Sequence, residues 1–579
     1  MEIRYITRGE FRSELYILKL NMICKEVEGS IGGMRKKIIF VLIICVLTSC
    51  AIKHDKPVVL EEKPDKLIVY AIGSHVTDTT EPDKSYYFTS YTIGPFGPLA
   101  NGITDQGYVF FDAFRGFERE IGIDLEIVYF RTMSEIEKQL REDKQNGTMP
   151  DIIICNQIAW DTYPDISNMY RAMANGWFLD VLPYMEEDGI YIGGEYYNEV
   201  LEAGQWEGHQ YVIPLCFNLN AIFTSEEDMA EIGIWIDDEM TNAELLQQLE
   251  YACVNTPKGT IAVDTLTLYS CPPAFIQGYW ETTGLSVADY DEGKATIDRE
   301  LFEEVAVFFK QYLQMNLTED WDTVLETAET YMQKDYWGAF LTPGQLETLD
   351  ENKYRNRQDK VRADGGYAWM ESGSFFLEEN SISARQHSLP GQCVALSTIY
   401  EDLNEEMVVI GVPMQEDENS YMAQVQIMGG VVAESEHPYY SYQLLKYLMD
   451  REYDPYYTIP VKKENAEKML DKLASTTFNL YLGLGPVWYE DVDFMKELED
   501  YQYLLDPLTE DMRMMLENML DNIGGATLPQ FSAYEAIVWH MEAYAFEMET
   551  LDEAYENACK ELQENLDYIL SGEAIYEGV

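Results

Sequence analysis

Strand-like and helix-like segments alternate between Leu67 and Cys155, and that alternation narrows the fold more than any other feature of the chain. "LIVYAIG" (Leu67–Gly73) is a short β-rich run, apolar on both faces, as in a strand buried within a parallel sheet. A polar, aromatic loop rich in Gly and Pro follows, and then "YVFFDAFRGFEREIG" shows helical amphipathic spacing closed by Gly122. "IDLEIVYF" is the second strand, and "SEIEKQLREDKQNG" is a second helix with Ser134 as its cap and Gly147 as its stop. "DIIIC" is the third strand. Strands separated by helices indicate parallel βαβ units and an open α/β sheet. Ligands of such sheets sit beyond the C-terminal ends of the strands, here the loops after Gly73 and Cys155. Further amphipathic helices are predicted over "IDRELFEEVAVFFKQYLQM", "SYQLLKYLMDREY" and the C-terminal "LDEAYENACKELQENLDYIL". No fixed-period repeat is present.

Ahead of this region lies "MRKKIIFVLIICVLTSCAIKHDK" (Met34–Lys56), where ten apolar residues, Ile38–Leu47, follow three cations. A membrane-spanning helix needs about 20 apolar residues, so this run is too short to be one. A charged start, a short apolar core and small residues before a cut fit a secretory signal instead. Leu47-Thr48-Ser49-Cys50 resembles the bacterial lipobox, which implies that Cys50 is diacylated and becomes the mature N-terminus. The expected organisation is an upstream segment 1–33 with Met34 as the true start, a signal 34–49 and a polar tether 50–65.

Loss of residues 1–49 removes eight Lys or Arg and five Asp or Glu, leaving a net charge near −66. A surface so acidic repels phosphate backbones, which argues against nucleic acid as a partner. It repels anionic lipid too, so membrane attachment falls to the acyl chains on Cys50. Acidity does not mean disorder here, because 46% of the residues are hydrophobic and 13% aromatic. Some 510 residues after the tether imply at least two domains. Cys155, Cys216, Cys253, Cys271, Cys393 and Cys559 are widely spaced with no CxxC pair, so buried free thiols are expected.

Catalytic signatures are missing. The sequence has no phosphate loop, no GxSxG and no HExxH, and its six histidines are scattered, so no metal, cofactor or catalytic residue is expected. "DYDEGKATID" from Asp289 superficially resembles a calcium loop but lacks two of its ligands; a hairpin turn followed by Asp298 capping the next helix explains it better. With so many acidic residues, a glycosidase-like carboxylate pair cannot be singled out. What does stand out is aromatic and amide residues where strands give way to loops. Asn156, Gln157, Trp160, Asp161 and Tyr163 follow the third strand; Trp206, Trp280 and Trp337 occupy comparable places later. Each Trp taken alone fits core packing. Together they favour a neutral polyhydroxylated ligand, whose C–H faces stack on rings while its hydroxyls meet amides and carboxylates.

Six segments in order carry a resemblance over about 500 residues: "MPDIIICNQIAWDTYPD", "NGWFLDVLPYMEEDG", "YYNEVLEAGQWEGHQYVIPLCFNLNAIFTSEEDMAEIGI", "GKATID" before a helix, "VVIGVPMQ" before a Gly-Gly turn, and "GGATLPQFSAYEAI". The chain resembles lipid-anchored extracellular solute-binding proteins of bacterial ABC importers, in the carbohydrate-binding group related to maltose-binding protein. That resemblance implies two α/β lobes with mixed sheets, hinge crossovers and a helical C-terminus. Laid on this sequence, lobe one holds 66–217 and 337–428, and lobe two holds 218–336 and 429–579. It also implies a monomer outside the cell membrane that hands a sugar to a permease, without catalysis. Cys155 stands where the maltose binder has Trp, and Glu535, after Tyr534, stands where it has a late stacking Trp. These departures point to a glycan other than maltodextrin. The expected ligand contacts are Asn156, Gln157, Trp160, Trp280, Trp337 and Tyr534, with Glu535 as a hydroxyl acceptor. Two alternatives are a surface glycoside-degrading enzyme, and the same receptor fold with a peptide or amine ligand.

Overall fold

The computed structural model describes residues 61–570, apart chiefly from 78–84, 99–104, 157–168, 252–262, 266–287, 327–381, 453–457, 482–501 and some shorter breaks. In chain order, the strands of its two larger sheets are β1 (Lys66–Ile72), β2 (Asp124–Phe130), β3 (Ile152–Asn156), β4 (Ile213–Asn218), β5 (Ala221–Ser225), β6 (Val263–Thr265), β7 (Ile382–Arg385), β8 (Met407–Gly411), β9 (Tyr421–Val431), β10 (Ile459–Pro460) and β11 (Ile523–Thr527).

The first sheet has the order β2-β1-β3-β9-β4-β10, with β11 lying alongside β9. β1 pairs in parallel with β2 (Lys66↔Asp124 to Ile72↔Phe130) and with β3 (Val69↔Ile152 to Ala71↔Ile154). The apolar runs produce this layer because both faces are covered: Leu67, Val69, Ile152 and Ile153 are fully buried. Helices α1 (Asp105–Ile121) and α2 (Met133–Asn146) supply Phe117, Ile136 and Leu140 to the same core. α1 ends where Gly122 takes φ +73° and donates to the Glu118 carbonyl at 2.8 Å; α2 ends at Gly147, φ +68°. α2 begins at Met133, one residue ahead of the expected Ser134 cap.

β9 enters the first sheet antiparallel to both neighbours, pairing Gly429↔Ile154 with β3 and Asn218↔Gln424 with β4. Between β4 and β9 the chain leaves and builds a second sheet, order β6-β7-β5-β8, in which β5 pairs antiparallel with β7 and β8. Only 219–220 separate β4 from β5, while Pro413↔Tyr421 bridges the end of the β8 segment to β9. The two mixed sheets are therefore joined by strands that cross between them, as expected from sequence.

Two expectations about the second half fail, the first of them in part. Residues 337–428 were expected in lobe one and 429–579 in lobe two. Instead Ile382–Arg385 and Met407–Gly411 pair with Ala221–Ser225 in the second sheet. Conversely α5 (Pro438–Met449), which follows α3 (Met169–Ala174) and α4 (Arg299–Asn316), packs on β4, β9 and α1 of the first sheet. A second expectation made Gly429-Gly430 a turn. Both lie within β9, because a Cβ at Gly429 would run into Leu445 of α5 and one at Gly430 into Phe178. Close approach, not chain reversal, explains this glycine pair. The "DYDEGKATID" segment does form a hairpin, Ala288–Asp289 against Lys294–Ala295, and Asp298 Oδ1 accepts the Leu301 N–H at 3.0 Å.

The remaining helices needed below are α6 (Lys463–Ser475), α7 (Phe531–Ala545) and α8 (Leu551–Leu570). α4, α7 and α8 pack on one another, and α8 also meets the Lys294–Ala295 strand. Their buried residues, among them Phe302, Phe309, Ile537, Met541, Leu562 and Leu566, stand outside the apolar cluster that surrounds the first sheet.

Candidate functional site

β1 to β4 all point the same way, so Ile72, Phe130, Asn156 and Asn218 mark one edge of the first sheet. The N-terminal half of the antiparallel β9, Tyr421–Gln426, comes to that same edge. Side chains alternate along a strand, so Gln424 and Gln426 share one face, and Asn218 joins them because it stands opposite Gln424. A register shift between Pro214 and Phe217 opens the pairing beside them.

These three amides are buried, with exposures of 1% for Asn218, 4% for Gln424 and 8% for Gln426. Asn218 Oδ1 accepts the Leu389 N–H at 3.0 Å, but its Nδ2 has no partner. Gln424 Oε1 and Gln426 Nε2 also lack partners. Leaving one buried polar atom unpaired costs about 1–3 kcal/mol, so three side by side are expensive unless something fills the gap. The free atoms are amide donors and a carbonyl acceptor, uncharged groups that suit hydroxyls. None of the three stood out in the sequence; a Gln within "YMAQVQIMGG" looks like the solvent face of an edge strand, and only the pairing of β9 between β3 and β4 buries Gln424 and Gln426.

Thiol chemistry is disfavoured at this edge. Cys216 is fully buried, and burial pushes its thiol up to about 12, against a smaller opposite pull from the Thr458 hydroxyl and the Ile427 backbone. Burial raises Cys393 as well, so both stay protonated and weakly nucleophilic at neutral pH. Nor do Ser435, His437 and Glu61 make a triad. The Ser435 hydroxyl donates to Asp151 at 2.6 Å and accepts the His437 backbone N–H, while the His437 ring meets Glu61 at 3.0 Å. Among the described residues no cluster of three His, Cys, Asp or Glu is arranged to hold a metal.

Of the residues nominated from sequence, Asn156 ends β3 opposite Ile427, at the edge that carries the amides. By register it belongs to the opposite sheet face from Gln424 and Gln426. Tyr534 and Glu535 fall in the first turns of α7. Gln157, Trp160, Trp280, Trp337 and Cys50 lie outside the described residues. Trp206 is half-buried against the first core, on a hairpin whose turn residues Glu207 (φ 50°) and Gly208 (φ 79°) suit a two-residue primed turn. That placement fits packing.

No family model matches the chain, and no curated protein matches it. Solved structures do align along most of it. One is an extracellular solute-binding protein family 1 member from Alicyclobacillus acidocaldarius, at 12% identity and TM-score 0.46, covering 87% of this chain and all of that one. Another is a periplasmic oligogalacturonide binding protein from Yersinia enterocolitica, at 13% identity and TM-score 0.47, with the same coverage. A third is described as a de novo designed esterase, at 10% identity and TM-score 0.48, again covering 87% and 100%. The names span binding proteins and an esterase, and no activity follows from them.

Proposed function

We propose that this chain is a non-catalytic receptor that captures a neutral, polyhydroxylated ligand, a carbohydrate, outside the cell and passes it to an ABC importer. The observation that supports this reading best is the row Asn218, Gln424 and Gln426, buried with unpaired amide atoms at the strand-end edge beside the crossovers. Open α/β sheets bind ligands at this edge. Uncharged amides favour hydroxyls over charged ligands, which weighs against the peptide or amine alternative. The sequence resemblance supplies the transport role, and the Leu47–Cys50 segment supplies the lipid anchor. Asn156, Gln157, Trp160, Trp280, Trp337, Tyr534 and Glu535 are proposed to complete the site from both sheets as the lobes close.

Calorimetric titration of the mature chain against neutral mono- and oligosaccharides tests the reading. A saccharide present at 100 times its dissociation constant adds about 2.7 kcal/mol of stability, readily seen by thermal shift. The expected result is saturable binding with no release of reducing ends. Binding of a cationic peptide but of no sugar, or steady turnover of a glycan, would overturn it. For the anchor, Cys50→Ala is expected to abolish acyl labelling, and unchanged labelling would remove Cys50 from that role.

A further inference from the structure

α3, "MYRAMA", turns Met169, Ala172 and Met173 into the core of the first sheet. Arg171 belongs to the same helix, yet it is only 6% exposed. What covers it comes from elsewhere in the chain. Its Nη1 donates to the carbonyl of Tyr568 at 3.1 Å, and its guanidinium carbon lies 4.4 Å from the centre of the Tyr568 ring. On the other side its Nη2 stands 3.8 Å from Glu137 of α2, a carboxylate that also holds Arg141 at 2.7 Å.

Tyr568 sits in the last turn of α8, where carbonyls have no N–H of their own helix to accept from. A cation at that end also meets the negative pole of the helix. α8 itself is committed to another core. Ala554, Ala558, Leu562 and Leu566 are buried outside the first-sheet cluster, and Gln563 clasps the neighbouring hairpin by accepting from Ala295 N and donating to Gly293 O. One buried arginine thus joins a helix rooted in the first core to the end of a helix rooted in the second.

We propose that Arg171 is a lock between these two cores: it holds the C-terminal helices against α2 and α3 in the arrangement seen here, and its release lets the two bodies move apart while each stays folded. A polar tie fits this role better than an apolar seam, because it is directional and is lost at a small displacement, whereas apolar contact is not. The ligand makes no contact with the lock in this scheme; the lock biases the opening equilibrium that any ligand-driven closure acts on.

Small-angle scattering of the ligand-free full chain tests this without depending on the carbohydrate reading. A compact unit of this size has a radius of gyration of about 24 Å. Arg171→Met is expected to raise it by about 1 Å or more, with amides of the last turn of α8 exchanging about tenfold faster and those of β1 and β3 unchanged. Tyr568→Ala, which removes the ring at an exposed position and keeps the carbonyl, is expected to do the same more weakly. An unchanged radius and unchanged exchange in both variants would overturn the lock. So would loss of protection throughout both cores in Tyr568→Ala, because the contact would then be part of folding itself. If Arg171→Met does not fold, Tyr568→Ala alone decides between these outcomes.

Discussion

Replacing Asp151 is expected to weaken the first sheet where three of its segments meet. Its buried carboxylate accepts the Ile68 backbone N–H from β1 at 2.8 Å and the Ser435 hydroxyl at 2.6 Å. Its backbone N–H donates to the Ile68 carbonyl, and its carbonyl accepts from Val432 just after β9. Hydrogen bonds to a charged group contribute about 1.5–3 kcal/mol each, and an orphaned buried N–H costs about 1–3 kcal/mol more. Removing the charge recovers part of the cost of burying it, so Asp151→Ala should destabilise by about 3 kcal/mol overall. Asp151→Asn keeps one acceptor, and its amide can donate to Ser435, so about 1 kcal/mol is expected. Ser435→Ala should also cost about 1 kcal/mol. The double variant Asp151→Ala/Ser435→Ala should cost less than the sum, since the two share a bond. Urea unfolding gives the energies, and hydrogen exchange at Ile68 localises them. Strict additivity, or an Asn variant as damaging as the Ala variant, would refute this account.

The buried amides offer a contrast between binding and stability: Gln424→Leu and Gln426→Leu should leave the ligand-free melting point level or higher, yet weaken saccharide binding about tenfold or more by calorimetry. Gly430→Ala should cost about 1–3 kcal/mol in urea unfolding, because its new methyl meets the Phe178 ring. His540 contacts Glu549 and Glu561 at 3.0 Å each; burial opposes its charge, but the two carboxylates outweigh that and raise its pKa. The stability it contributes relative to His540→Gln should therefore be fullest below about pH 6.5, the unfolded value, and fade as pH rises through the raised folded value, as melts across pH 5–9 would show. Trp337→Ala should weaken saccharide binding about 10- to 100-fold if the indole stacks on the sugar, whereas full affinity with a lower ligand-free melting point would make Trp337 a core residue.

How far the sequence disclosed the molecule depends on the range of the interactions. β1, β2 and β3 were visible because their apolar runs and glycine stops are local signals, and α1 and α2 because helical spacing repeats within a few residues. The Asp298 cap was equally legible, being three residues from the amide it binds. Gly429-Gly430 misled because a pair of glycines gives the same local signal in a turn and in a crowded strand; Leu445 and Phe178 distinguish the cases, and both are remote in sequence. The division of the second half into lobes failed in part for the same reason, since it depends on which of two sheets accepts Ile382–Arg385 and Met407–Gly411. Gln424 and Gln426 carried no signal that sets them apart from surface glutamines.

The central strand of the first sheet is supplied late. β3 and β4 are made by Asn218, but the strand that belongs between them ends at Val431, and during synthesis both stand with unsatisfied edges until then. The four strands of the second sheet are made in that interval, so closure of the first waits on a long intervening stretch of chain. Open edges flanked by apolar side chains are templates for pairing with other chains. A nascent or truncated form ending anywhere between β4 and β9 is thus an aggregation hazard by construction.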